Sequence, residues 1–562
     1  MIACLLVAAL GYLDLAEIAV KAYDDAHMEA YVREAEAVGV QEHGFPRLAA
    51  NLGRLVAAGR MAEKKPMLAR MLTVACVCAK KGKMPPKSGG NEFSVRELVS
   101  AVVALEKAGA FPAEKIAGWK ADLAAVDAGR CYTSAGYGFG ESTGRNWPLF
   151  GAASEQARIH YGLGGDPEFV EGWVADQLRH FDRNGMYRDP HEPTVYDFIG
   201  RLCYMQILHF GYDGPCRAKV EEELLASAEP TLAMLSVCGE IPYGGRSNQF
   251  LHNNTMYAAV AEWYAAFFAK RGDAKTAARF RSAAARAIAA LEPWVKGGKV
   301  FHVKNRFPKP ETEGARNIDQ KWFGCEGYAY FDKYMVTMGT WAVLADEFAG
   351  SQPLPEALAT ENPGVFETSP VFHWVFMRAG GYSAQFDFAA NPHYDCNGLG
   401  RVHRLGAPPQ ICLSTPCVKK PSYWIVATNL ADLAIAPVTP GKLELVKSES
   451  LADRTVTEWK VGDQLWRCVL SASGMEMELS GPGEVALSLP VLEFDGEAHA
   501  TICREEHRVS TVYRGWRCAY ETDGTLAATG LSAENRNGRY LRFEARGKRA
   551  LKVRVEIVQE ER

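Results

Sequence analysis

"SQPLPEALATENPGVFETSP", residues 351–370, divides the chain into halves with different periods. Four prolines in twenty residues exclude a continuous helix or a central strand. Upstream, apolar residues recur at spacings of three and four. The runs are "RELVSAVVALEKAGA" (96–110), "EQARIHYGLGG" (155–165), "YDFIGRLCYMQILHFGYDG" (196–214), "MYAAVAEWYAAFFAKRGD" (256–273) and "AKTAARFRSAAARAIAALEPWV" (274–295). Several end at glycine, a usual helix stop. Downstream the period is two. "MEMEL" puts Met475, Met477 and Leu479 on one face, and "LKVRVEIV" does the same for Leu551, Val553, Val555 and Ile557. "YSAQFDFAA", "SYWIVATNL" and "EVALSLPVL" read as further strands. The expected architecture is an N-terminal α/α toroid of helical hairpins over 1–350, a linker over 351–370 and an antiparallel β-sandwich domain over 371–562.

The bulk numbers agree with two domains. The chain has 562 residues, 48% of them hydrophobic and 23% charged, with a formal charge of −4. There is no basic surplus of the kind a nucleic-acid binder shows. No apolar run reaches the roughly 20 residues that span a membrane. Fourteen cysteines are scattered without a C-x-x-C, which reads as free thiols and slightly favours the cytoplasm. The start, "MIACLLVAALGYLDL", is apolar but lacks a positive leader and continues at helical spacing. It reads as a first helix, with a signal peptide, and so a periplasmic or secreted protein, as the alternative.

Four polar clusters interrupt the helical rhythm. "GYGFGESTGRNWPLFGAASEQ" brings Asn146 and Trp147 to a helix start, behind a glycine-rich loop. They serve there as a cap and a core ring, or as a platform for a sugar face. "NGMYRDPHEPTVYDFIGR" supplies Arg188, His191 and Tyr196 in a loop entering a helix. "GRSNQFLHNN" packs seven polar groups into nine positions, among them Arg246, Asn248, His252, Asn253 and Asn254, with Tyr257 one turn beyond Asn253. One side chain is enough to cap a helix, so this cluster exceeds structural need. "NIDQKWFGCEGYAYFDKYM" sets Tyr330 and Tyr334 one turn apart, with Trp322 upstream. From the sheet half, "NPHYDCNGLGRVHRLGAPP" carries His393 and His403 and reads as a polar loop reaching away from the sheet toward Arg246. No metal-ligand spacing such as H-E-x-x-H occurs, so no cofactor is required and a structural Zn or Ca has no support.

This set suits β-elimination at a uronic acid. An amide or Arg binds the carboxylate and acidifies the C5 proton; a His or Tyr removes it; a Tyr returns one to the leaving oxygen on C4. His191 is the expected base, and Tyr330 or Tyr334, ahead of Tyr196, the expected acid. Hydrolysis would need a carboxylate pair, for which Asp189, Glu192, Asp197 and Glu326 are available. A protein that only holds glycan is the third reading.

The order of halves and motifs resembles the polysaccharide lyases that join an α/α toroid to an antiparallel sheet domain: chondroitin and hyaluronate lyases, heparinase II/III-like enzymes and oligoalginate lyases. In the first group an Asn-Trp patch, a His-Tyr loop and an Arg follow in order. Asn146-Trp147, His191 with Tyr196, and Arg246 match that order. In the heparinase-like group Asn-Asn-His opens a helix, a later helix carries a Tyr, and the sheet domain adds a His. The corresponding residues are His252 to Asn254, in reversed order, Tyr330 or Tyr334, and His393 or His403. The resemblance implies an acidic glycan as substrate and is compatible with rhamnose–glucuronate or glycosaminoglycan-like linkages.

Overall fold

The computed structural model describes residues 10–82, 90–140, 145–247, 250–295, 297–300, 331–350, 363–392, 394–416, 431–439, 441–535 and 537–560. Six of its helices are buried over most of their length: Gly44–Ala57, Val95–Lys107, Asn146–His160, Thr194–His209, His252–Lys270 and Phe331–Ala349. A helix covered on all sides needs protein on all sides. These six supply it for one another. Each packs on the next in chain order and the last packs on the first, closing a ring. Other helices lie outside and bury one stripe. Asp25–Val38 buries Met28, Val32 and Ala35, and Ala113–Ala124 buries Ile116, Trp119 and Leu123. The connections between ring helices pass through this outer layer, which is the α/α toroid read from the periodicity.

All six ring helices run the same way. At one end their first turns meet: His43 stacks on Phe93 at 5.2 Å and Phe93 meets Trp147 at 5.1 Å. Further round, the Arg246 guanidinium lies 4.1 Å over the Tyr196 ring, and His252 stacks on Tyr334 at 5.2 Å. Arg47 Nη1 closes the circle by donating to Thr337 Oγ1 at 3.0 Å. At the other end the last turns meet. Glu347 accepts from Arg54 Nη1 at 3.2 Å and pairs with His209 Nε2 at 3.0 Å. One mouth of the ring therefore gathers six helix N-termini and their positive dipole ends.

The C-terminal half is antiparallel. Gly364–Glu367, Trp374–Ala379, Tyr382–Asp387 and Gly398–Arg404 form a meander in chain order. An eight-stranded sheet and a second four-stranded sheet follow, and one apolar core is shared by all three. The alternation read from the sequence is the register of the eight-stranded sheet: Met475, Met477 and Leu479 face Val555, Val553 and Leu551. Two details differ from expectation. The first strand begins at Gly364, inside the stretch read as linker, and 398–404 is a strand, not a loop. "SYWIVATNL" lies outside the described residues.

The meander is buried on both faces. Val375, Met377, Tyr382, Ala384 and Phe386 enter the sheet core, while Trp374 and Phe376 enter the toroid core. Its polar side chains stitch it to toroid residues 232–243. Arg378 Nη2 donates to the carbonyls of Leu232 (2.9 Å) and Leu235 (2.6 Å), and Gln385 Nε2 to that of Tyr243 at 2.8 Å. Arg401 Nη1 donates to Ile241 O at 2.9 Å, and Val237 N–H donates to Ser383 Oγ at 3.0 Å. No helix among the described residues is long and apolar enough to cross a membrane.

Candidate active site

The centre of the mouth is built on a buried ion pair. Asp197, in the first turn of Thr194–His209, takes Arg201 one turn on at 2.5 Å, and both are sealed from solvent. Its Oδ1 also accepts from Tyr187 N–H at 2.7 Å. That bond fixes the backbone leading to Asp189. Asp189 is 2% exposed. Its Oδ1 accepts from Asn146 Nδ2 at 2.8 Å and Asn146 N–H at 3.2 Å, and its Oδ2 takes Arg246 Nη2. Burial pushes the Asp189 carboxyl above its usual range, against the pull of Arg246. Arg246 Nη1 donates to Pro190 O, so the guanidinium is held at both terminal nitrogens, with Cζ 4.1 Å over the Tyr196 ring. The Tyr196 hydroxyl is 3.3 Å from Ser247 Oγ. The arrangement sets an immobilised cation beside a phenol at the helix N-termini.

The sheet half adds a second group. Trp374 and Asp387 are paired across the meander, so their side chains share a face, and Trp374 Nε1 donates to Asp387 Oδ2 at 3.1 Å. His373 has φ +51°, a left-handed backbone. This twist brings a sequence neighbour of Trp374 to the same carboxylate: His373 Nδ1 lies 2.8 Å from Asp387 Oδ1. The imidazole packs on Trp374 at 4.5 Å. Trp374 in turn fills the notch at Gly244, two residues before Arg246. A Cβ at Gly244 would stand 2.2 Å from its ring, and φ is +141° there. Asp395 fastens the same turn by accepting from Gly245 N–H at 2.8 Å.

Backbone strain marks the same place. Seven non-glycine residues have positive φ among the described residues, and four of them, His191, Glu192, Ser247 and His373, surround Arg246 and Trp374. Left-handed backbone at non-glycine positions costs energy and concentrates at functional sites.

Of the residues singled out in the sequence, the structure brings together Asn146, Arg246 and Tyr196. Trp147 stands beside them in an aromatic wall with Phe93 and Tyr137. His191 is exposed on the rim, and Arg188 pairs with Glu192 at 3.1 Å. His252 and Tyr334 form a separate stack with Phe250. Asn253 is fully buried, and its Nδ2 donates to Ser247 O at 2.8 Å, bracing the Arg246 turn from below. Asn254 faces away, with its amide on Ala287 O at 2.9 Å, and the Tyr257 hydroxyl is sealed on Thr231 O at 2.8 Å. His403 lies in the domain seam, 1% exposed, with Nδ1 3.0 Å from Ser236 Oγ. Burial holds it well below the usual imidazole range. The segment carrying it is a strand in the seam, and from the loop before that strand Asp395 reaches Gly245 N–H, next to Arg246. Asn248, Trp322, Glu326, Tyr330 and His393 lie outside the described residues. The sequence reading passed over His373 and Asp387, because a histidine beside a tryptophan in an apolar run carries no periodic signal.

Of the carboxylates considered for hydrolysis, Asp197 is sealed by Arg201, Asp189 is clamped by Arg246, and Glu192 pairs with Arg188. Among the described residues no three His, Cys, Asp or Glu side chains gather as a metal site.

No protein-family model matches the chain, and no curated protein matches it. Solved structures similar to it include a chondroitin AC lyase variant from Streptomyces coelicolor A3, at 12% identity and TM-score 0.46, covering 97% of this chain and 82% of that one. A glycosyl hydrolase of family 88 from Bacteroides vulgatus is similar at 10% identity and TM-score 0.38 over 60% of this chain and 98% of that one. A GH127 β-L-arabinofuranosidase from Geobacillus stearothermophilus is similar at 11% identity and TM-score 0.37 over 98% of both.

Proposed function

We propose that the protein is a carbohydrate-active lyase that cleaves a uronic-acid-containing glycan by β-elimination at the mouth of the helical ring. The observation that carries this reading is the clamped Arg246 guanidinium on the Tyr196 ring, at the end of the ring where six helix N-termini converge. Arg246 meets the substrate carboxylate and stabilises the charge that builds on it as C5 loses its proton. Tyr196 gives its phenolic proton to the C4 oxygen as the C4–O bond breaks. Asp189 and Asn146 hold Arg246 in place, and the Trp147 wall takes the apolar face of a neighbouring sugar. Glycoside hydrolysis needs an acid and a base or nucleophile, both carboxylic and facing the scissile bond. Asp197, sealed from solvent with Arg201, is not available for either role.

The test is a panel of uronate polymers and oligomers, among them chondroitin, hyaluronate, alginate and rhamnose–glucuronate glycans. The expected product absorbs in the ultraviolet as a 4,5-unsaturated uronate. New reducing ends without that absorbance mean hydrolysis, and binding without turnover means a glycan-holding protein.

A further inference from the structure

We propose that the seam between the two halves is a binding site for one chloride ion, held by Arg401 together with Ser383 and Gln385. The site lies apart from the reaction assigned to the mouth and does not depend on it. Ser383 pairs with His403 across the meander, and Gln385 with Arg401, so the four side chains form a polar square on the toroid-facing side. Ser236 meets this square from the helical half, with Oγ 3.0 Å from His403 Nδ1. Ser236, Ser383, Gln385 and Arg401, closed in by apolar neighbours, line a cavity of about 10 Å³, room for the centre of one water-sized sphere. One atom-sized occupant fits there; a sulfate, a phosphate or a sugar carboxylate does not.

The polar lining has donors to spare and its acceptors already taken. Arg401 is 2% exposed. Its Nε donates to Ser414 O at 2.9 Å and its Nη1 to Ile241 O at 2.9 Å, while Nη2 has no partner among the described residues. Ser383 Oγ accepts from Val237 N–H at 3.0 Å, and its own proton meets no acceptor among the described residues. Gln385 grips the Tyr243 backbone in both directions. Its Oε1 accepts from Tyr243 N–H at 3.3 Å and its Nε2 donates to Tyr243 O at 2.8 Å, which leaves the second amide proton over. Ser236 Oγ accepts from Cys238 N–H at 3.1 Å and has His403 Nδ1 to take its proton. A guanidinium, a hydroxyl and an amide with unused protons around one small space select an acceptor.

Charge decides between water and an anion. Both bonds that Arg401 makes go to neutral carbonyls, and it forms no ion pair among the described residues. Glu240 is the carboxyl whose field reaches it, and burial pushes that carboxyl above its usual range, toward the neutral form. A buried cation without a counter-charge is strongly unfavourable. Water accepts the spare protons only, whereas chloride accepts them and balances the guanidinium. The ion also steadies the functional half of the mouth, because the Tyr243 backbone held by Gln385 leads directly into Gly244 and the Arg246 turn.

The test uses the full chain. Crystals soaked in sodium bromide are expected to show an anomalous peak at the bromine edge in contact with Arg401 Nη2. In solution at fixed ionic strength, replacing gluconate, which is too large for the cavity, by chloride is expected to raise the thermal unfolding midpoint saturably by about 2 °C. Arg401→Gln and Ser383→Ala are expected to lose that rise. Ser383→Ala removes one hydroxyl from a strand and serves where Arg401→Gln does not fold. A rise of equal size in the wild type and Ser383→Ala is a general salt effect and overturns the site. So does the absence of any rise in the wild type, or a water at Arg401 Nη2 without anomalous signal in the bromide crystals.

Discussion

Arg246 illustrates how much one residue's chemistry depends on shape as well as charge. Its guanidinium meets Pro190 O and Asp189 at its edges and Tyr196 with its face. A lysine keeps the charge and loses the plane. Arg246→Lys is therefore expected to lower kcat/KM on a uronate substrate by a hundredfold or more, about 3 kcal/mol, as for a lost transition-state donor. Steady-state kinetics with product absorbance measures it. The two asparagines that follow separate by direction. Asn253 braces the carbonyl of Ser247, so Asn253→Ala should loosen the Arg246 turn and reduce kcat at least tenfold. Asn254 holds Ala287 on the outer layer, so Asn254→Ala should cost about 1 kcal/mol in urea denaturation and leave kcat within twofold. Equal kinetic losses in both would mean that the helix start acts as a unit.

At the scale of elements, the Gly244 turn against the Trp374–Asp387 hairpin decides whether the two halves meet. Gly244→Ala drives a methyl into the indole at a backbone angle that disfavours a side chain. It should destabilise the protein by more than about 2 kcal/mol and abolish turnover while far-UV circular dichroism stays unchanged. Outer helices and sheet strands were legible in the sequence because one face or one period dominates each, as in Met28, Val32 and Ala35 or in Met475, Met477 and Leu479. The polar start of His252–Lys270 was legible because seven polar groups in nine positions exceed capping needs. The 398–404 strand was not, since its toroid-facing side is polar and its period vanishes into the seam. The His373–Asp387 pairing was not legible either. It needs a hairpin register and a left-handed φ, and neither leaves a mark in composition.

For the whole molecule, closing the ring depends on bringing its last helix to its first. Glu347 does this at the far end from the mouth, between Arg54 and His209, which hold its carboxyl down to about 2. A carboxyl lowered in the folded state stabilises above its unfolded value, about 4.3, and loses that contribution as pH falls toward 2. Denaturant unfolding of wild type and Glu347→Gln should thus differ by up to about 3 kcal/mol at neutral pH and converge between about pH 4.5 and 2. A difference independent of pH would mean that packing, not charge, seals the ring. The seam between the halves has another consequence. Arg378, Gln385 and Arg401 all reach main-chain carbonyls of residues 232–243, and Ser383 takes a main-chain N–H. Tolerance to mutation should accordingly differ in kind across the seam: a saturation library would accept other apolar side chains of similar volume at the buried Leu232, Leu235, Val237 and Ile241, whose backbones are what is recognised, and almost nothing at the four sheet positions that do the recognising.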